Sequence, residues 1–341
     1  MKIDKAQQNF TNHPFWGVYT KVYFAYIKLA AILRNILYTK TMNLRIQNIF
    51  SLVFISALLV FCKNENNEIK VVKNKNYELK ISNDQKAVLI LFPCFPCDIE
   101  NTKTEAKFLK DFEKEGITTL LLNYNHKLYL TESDKVEYSK AINSILNKNE
   151  VKNENVFIGG FSSGGNVSVL LANYLLKTKN TIQPKGIFAV DSPLDLEELY
   201  NDAKSDIKKN VDKDAVEEGD FLIKMLEQEI GKPNVSIENY KMLSPYLISS
   251  NSTTNIKYLK NIKVRFYCEP DLEWQMKNKN RKYEELNAYK LEKTYNSLVN
   301  LGSKKAELIK TKNRGIRANG EKHPHSWNIV ERESLLKWIN E

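Results

Sequence analysis

Four short apolar runs constrain this chain most: residues 88–92, 118–123, 156–160 and 186–190. Each is five or six residues long and dominated by apolar side chains. A strand with one wet face alternates apolar with polar residues, whereas a strand covered on both faces has no need to. Stretches with helical spacing at 103–115, 133–149 and 165–179 stand among the runs. Strand and helix in repetition imply parallel neighbours joined by right-handed crossovers, hence a three-layer α/β sandwich. Further strands at 69–72, 77–81, 264–268 and 306–310 complete a mostly parallel sheet of eight. The first two flank Lys73-Asn74-Lys75-Asn76, a turn-prone tetrad suited to an antiparallel hairpin. Helices are also expected at 281–301 and 331–340. The stretch 196–262 is too long for one crossover. With charged helical pieces at 194–206 and 220–230, it reads as a helical insertion between the sixth and seventh strands.

The sharpest local signal is Gly160-Phe161-Ser162-Ser163-Gly164-Gly165, directly after the fifth strand and ahead of a helix. In G-x-S-x-G the glycines stand two before and two after the serine, because the turn is too tight for a Cβ there. Ser162 satisfies that spacing and Ser163 does not, so Ser162 is the candidate nucleophile. It sits at a helix entry, where backbone N–H groups favour developing negative charge. The run lacks the Lys-Ser/Thr ending of a phosphate loop.

A serine hydroxyl needs a base. The chain has four histidines: His13, His126, His323 and His325. His13 belongs to the N-terminal segment, and His126 reads as a surface or core-edge residue. His323 and His325 fall between the last strand and the terminal helix, on the sheet edge where the serine turn emerges. Of these His325 is preferred and His323 is the alternative. The orienting carboxylate should end another strand. Asp271, after 264–268 and Glu269-Pro270, is the first choice, Asp191 at the end of 186–190 the rival, and Glu269 a third.

With these residues in hand, 69–341 resembles the α/β-hydrolase family: a nucleophile turn after the fifth strand, and the chain order Ser162, Asp271, His325. The resemblance implies a serine hydrolase that cleaves a carboxylic ester, in preference to an amide, through an acyl-enzyme on Ser162. It also implies an oxyanion hole built from the N–H of Ser163 and a second N–H from the loop after the third strand. In that loop, Phe92-Pro93-Cys94-Phe95-Pro96-Cys97-Asp98, Cys94 or Phe95 can donate, whereas Pro96 has no N–H. The loop departs from the Gly-rich sequence usual in the family. No metal or organic cofactor is implied, and the insertion would wall the pocket. The rival reading is a membrane-anchored binding protein that keeps the scaffold without turnover. The acyl group, the alcohol and the oligomeric state are open.

The formal charge of +10 is concentrated at the N-terminus, where residues 1–62 hold seven Lys or Arg against Asp4 alone. The remainder holds 44 basic and 40 acidic residues, which removes the case for nucleic-acid binding. Residues 42–62 read as a signal peptide or membrane anchor: Arg45 precedes a charge-free run at 49–61, too short to cross a bilayer as a helix. Leu59-Val60-Phe61-Cys62 resembles the lipobox of bacterial lipoproteins, with Cys62 as the lipid-anchor candidate and Phe61 where that family favours a small residue. Residues 1–41 form an extension, either translated, with 15–38 as a membrane-surface helix, or preceding a true start at Met42. A polar linker follows at 63–68. The expected location is therefore outside the cytoplasm or at a membrane face. Cys94 and Cys97 form a C-x-x-C with no further metal ligands nearby, so a disulfide or two thiols is expected.

Overall fold

The computed structural model describes residues 25–32, 69–123 and 127–341. The chain divides into two units, Met1–Asn67 and Glu68–Glu341. In the first, residues 25–32 form a helical stretch exposed along its length. The signal segment, Cys62, the linker and His126 lie outside the described residues. No helix among the described residues is long and apolar enough to cross a membrane.

The second unit holds strands β1 (Lys70–Lys73), β2 (Tyr77–Ile81), β3 (Ala87–Phe92), β4 (Ile117–Leu122), β5 (Val156–Phe161), β6 (Pro184–Val190), β7 (Lys263–Cys268) and β8 (Ala306–Lys310). They form one sheet in the order β1-β2-β4-β3-β5-β6-β7-β8. β2 pairs antiparallel with both β1 and β4, and every other pairing is parallel. A leading antiparallel hairpin followed by a parallel run in this order is the α/β-hydrolase fold.

Helices cover both faces, which explains the unbroken apolar runs. On β3, Val88, Ile90 and Phe92 enter one core while Ala87, Leu89 and Leu91 enter the other, as the two-residue strand period requires. The first core is closed by α2 (Glu132–Lys148) and α3 (Ser163–Lys177), the second by α1 (Ile99–Glu105) and α9 (Arg332–Asn340). α2 begins in a capping box between Thr131 and Asp134, which satisfies N–H groups that the first turn leaves unpaired. Between β6 and β7 lie α4 (Leu196–Lys209), α5 (Lys213–Glu229) and α6 (Pro233–Leu243); α7 (Leu272–Lys279) and α8 (Asn287–Asn300) separate β7 from β8.

One expected helix is broken. In place of a single helix over 103–115, α1 ends at Glu105 and two 3-10 turns follow, Lys107–Leu109 and Phe112–Glu115. Ala106 leaves the helical region at ψ 72°, and Asp111 is left-handed at φ 59°. The breaks turn Phe108 and Phe112 inward together: Phe108 packs on Phe112, Phe188 and Trp327 at ring separations of 5.9, 6.5 and 5.7 Å. Burying two large rings outweighs the few hydrogen bonds that a continuous helix adds.

Candidate active site

The turn after β5 is set by glycines. Ser162 stands at φ 55° and ψ −124°, outside the helical and extended regions, and caps α3. A Cβ on Gly160 would run into the Gly164 backbone, and one on Gly164 into the carbonyls of Phe92 and Pro93. Gly164 thus lets the start of α3 close directly onto the loop after β3. The N–H of Ser163, first residue of α3, has no intrahelical partner. Cys94 and Phe95 follow in the facing loop, where a Cys94–Cys97 disulfide spans a Cα separation of 5.0 Å. Ser162, Ser163, Cys94 and Phe95 all line one cleft of about 800 Å³.

The carboxylate beside His325 is Asp191. β5 and β6 are neighbours with Phe161 opposite Val190, so Ser162 and Asp191 leave adjacent strand ends side by side. The ladder continues past both strands, with Ser162 N–H donating to Val190 O at 2.9 Å and Asp191 N–H to Tyr267 O at 2.8 Å. Asp191 adopts φ 41°, its carbonyl accepts from Asn287 Nδ2 at 2.9 Å, and its Oδ2 lies 2.6 Å from His325 Nδ1. A carboxylate accepts, so Nδ1 is the donor, and the neutral tautomer this selects has its lone pair on Nε2. The His325 ring lies 4.4 Å from that of Phe161, the residue before the serine. No hydrogen bond joins Ser162 Oγ to His325 among the described residues; in such sites that bond commonly tightens only in the substrate complex.

Asp271 does not reach this imidazole. It caps α7, accepting from Trp274 N–H at 3.2 Å, and pairs with Lys322 Nζ at 2.6 Å. Burial would raise its carboxyl, but Lys322 and the Trp274 N–H hold it below the ordinary range. The sheet order accounts for the difference: Asp271 follows β7, two strands from the serine, whereas Asp191 follows the adjacent one. Glu269 is buried and structural, accepting from Thr311 Oγ1, Arg314 N–H and Gly315 N–H at 2.9, 2.9 and 3.1 Å, and so organises the segment leading to His325. His323 has a backbone carbonyl as its Nδ1 partner, His325 O at 3.2 Å. Burial, with Arg317 nearby, pushes its pKa down to about 3, so it is a neutral ring.

The insertion supplies the opposite wall: Leu199 and Ala203 of α4 and Leu222 of α5 line the cleft, and Phe221 stacks on Phe95 at 5.6 Å. Three ion pairs tie α4 to the chain beyond β7, Arg281 to Asp206, Lys290 to Asp202 and Lys209 to Glu285.

No family model and no curated protein matches the chain. Solved structures do resemble it: an acylaminoacyl peptidase of Pyrococcus horikoshii at 17% identity and TM-score 0.46, covering 82% of this chain and 41% of that one; MPT51 of Mycobacterium tuberculosis at 12% and 0.47, covering 80% and 96%; and carboxyl esterase 2 of Tuber melanosporum at 14% and 0.46, covering 82% and 87%. The chain spans about two fifths of that peptidase's length.

Proposed function

We propose that this protein is a serine hydrolase that cleaves carboxylic esters, in preference to amides, through an acyl-enzyme on Ser162. The observation that carries the reading is the 2.6 Å contact between Asp191 and His325 Nδ1 beside a serine held in a strained turn. In that arrangement His325 Nε2 takes the proton from Ser162 Oγ as the oxygen attacks the ester carbonyl. Asp191 keeps the imidazole in the required tautomer and stabilises the imidazolium that forms. The tetrahedral oxyanion accepts from the Ser163 N–H and from that of Cys94 or Phe95. The alcohol leaves with the proton from His325, and a water deprotonated by the same nitrogen releases the acid and restores the serine.

A fluorophosphonate probe tests the assignment. It should label the wild-type chain and fail to label Ser162→Ala, which should also lose p-nitrophenyl ester hydrolysis by several orders of magnitude. Undiminished labelling or hydrolysis in the variant would remove Ser162 from the reaction, whereas a wild-type chain that neither labels nor hydrolyses would leave the binding-protein reading in its place.

A further inference from the structure

One wall of the cleft is rich in unused acceptors. Trp274 and Gln275 of α7 line it together with His323, whose ring meets the Trp274 indole edge-on at 4.9 Å. The His325 carbonyl can only accept, so His323 donates through Nδ1 and its Nε2 is left as a lone pair. Among the described residues that nitrogen has no hydrogen-bond partner. Gln275 is only 9% exposed, and its Oε1 is buried with no donor among the described residues. A buried acceptor without a donor is disfavoured and calls for an explanation, of which a ligand N–H is one.

The charge of the cleft has the matching sign. Carboxylates outnumber Lys and Arg side chains around it ten to four, although residues 63–341 as a whole carry a slight basic excess. The Lys and Arg side chains whose charge bears on His323 are themselves paired, Arg317 with Glu321 at 4.0 Å and Lys279 with Asp212 at 3.2 Å. Asp214 and Glu218 of α5 line the cleft without a salt bridge among the described residues. A concave, acid-lined site concentrates cations, and an indole adds attraction for an ammonium held against it.

We propose that Trp274, Gln275 and His323 form a subsite for a cationic, N–H-bearing substrate group, a primary ammonium above all, so that the preferred esters carry an amine. The proposal rests on the hydrolase reading for its reaction, but not for its binding. Methyl 6-aminohexanoate and methyl heptanoate test it, because they differ by an ammonium in place of a methyl group.

Binding is measured by calorimetry on the full-length Ser162→Ala chain at low salt. The aminoester should bind at least about ten-fold tighter, since one charge-assisted hydrogen bond and a cation–π contact together supply that much. The preference should collapse when Gln275→Leu or His323→Phe is added to the same background. Equal or tighter binding of methyl heptanoate overturns the subsite, and a preference that survives in Gln275→Leu removes it from this wall. Gln275→Leu carries that comparison if His323→Phe does not fold. Wild-type turnover of the two esters is scored separately. Turnover of both without a binding preference sinks the subsite and spares the hydrolase reading, whereas a preference without turnover does the reverse.

Discussion

Ser162 occupies a backbone conformation that costs about 1–3 kcal/mol wherever it is not enforced by its surroundings. Here the closeness of Gly160 to Gly164 and of Gly164 to the Phe92 and Pro93 carbonyls enforces it. That turn was legible in the sequence because glycine spacing reports it directly. The choice between two carboxylates was not legible from chain order, since Asp191 and Asp271 both lie between the serine and the histidine. Both follow strands in left-handed conformations, at φ 41° and 31°. What separates them is lateral position in the sheet and the partner each finds, His325 for one and Lys322 for the other. Asp191→Asn should therefore lower kcat by about 10⁴-fold through loss of the productive tautomer. Asp271→Asn, still able to cap α7, should stay within a few-fold of wild type; steady-state kinetics on one ester decides between them. His323 carries a pH signature as well. Burial lowers its folded pKa from 6.5 to about 3, so its contribution to stability is complete above pH 6.5 and is lost as pH falls toward 3. Thermal melts across that window should show a smaller decline in His323→Phe than in wild type.

The strands follow the apolar runs closely, because burial on both faces writes itself into composition. Helices were less legible where tertiary packing overrode local preference, as at 99–115, where Phe108 and Phe112 turn into the core. α7 is illegible in the sequence for a different reason: it is short, only Gln275 of its residues is buried, and so no apolar stripe marks it. The insertion is fastened by charge as well as by apolar contact. Glu285 accepts from Ser205 and Lys209 of α4, both at 2.6 Å. Burial would raise its carboxyl, yet the Lys209 and Ser205 hydrogen bonds hold it down at about 2. With the folded value below the ordinary 4.5, this tie is fully present above about pH 4.5 and is lost as pH falls toward 2. Glu285→Gln should flatten the acid limb of the stability profile between those values, as read by circular dichroism melts; an unchanged limb would assign the acid sensitivity to other groups.

Among the described residues, every buried member of the two hydrophobic cores lies between Leu79 and Ile339, inside the unit Glu68–Glu341. A chain of residues 68–341 should accordingly unfold in one cooperative transition and hydrolyse the same esters; a broad, non-cooperative melt would show that the first unit is needed for folding. Within that body Phe188 joins sheet to helix, packing on Phe108, Tyr267 and Trp338. Phe188→Ala should cost about 3–5 kcal/mol, measurable by urea denaturation. The contact of Gly164 with the Phe92 and Pro93 carbonyls reaches further than the turn it permits. Main chain rests on main chain there, so the gap between the amide of Ser163 and those of the facing loop has no rotamer by which to adjust. Side-chain substitution can therefore remould the cleft only on the half contributed by α4, α5 and α7, which leaves one side of it rigid and the other plastic.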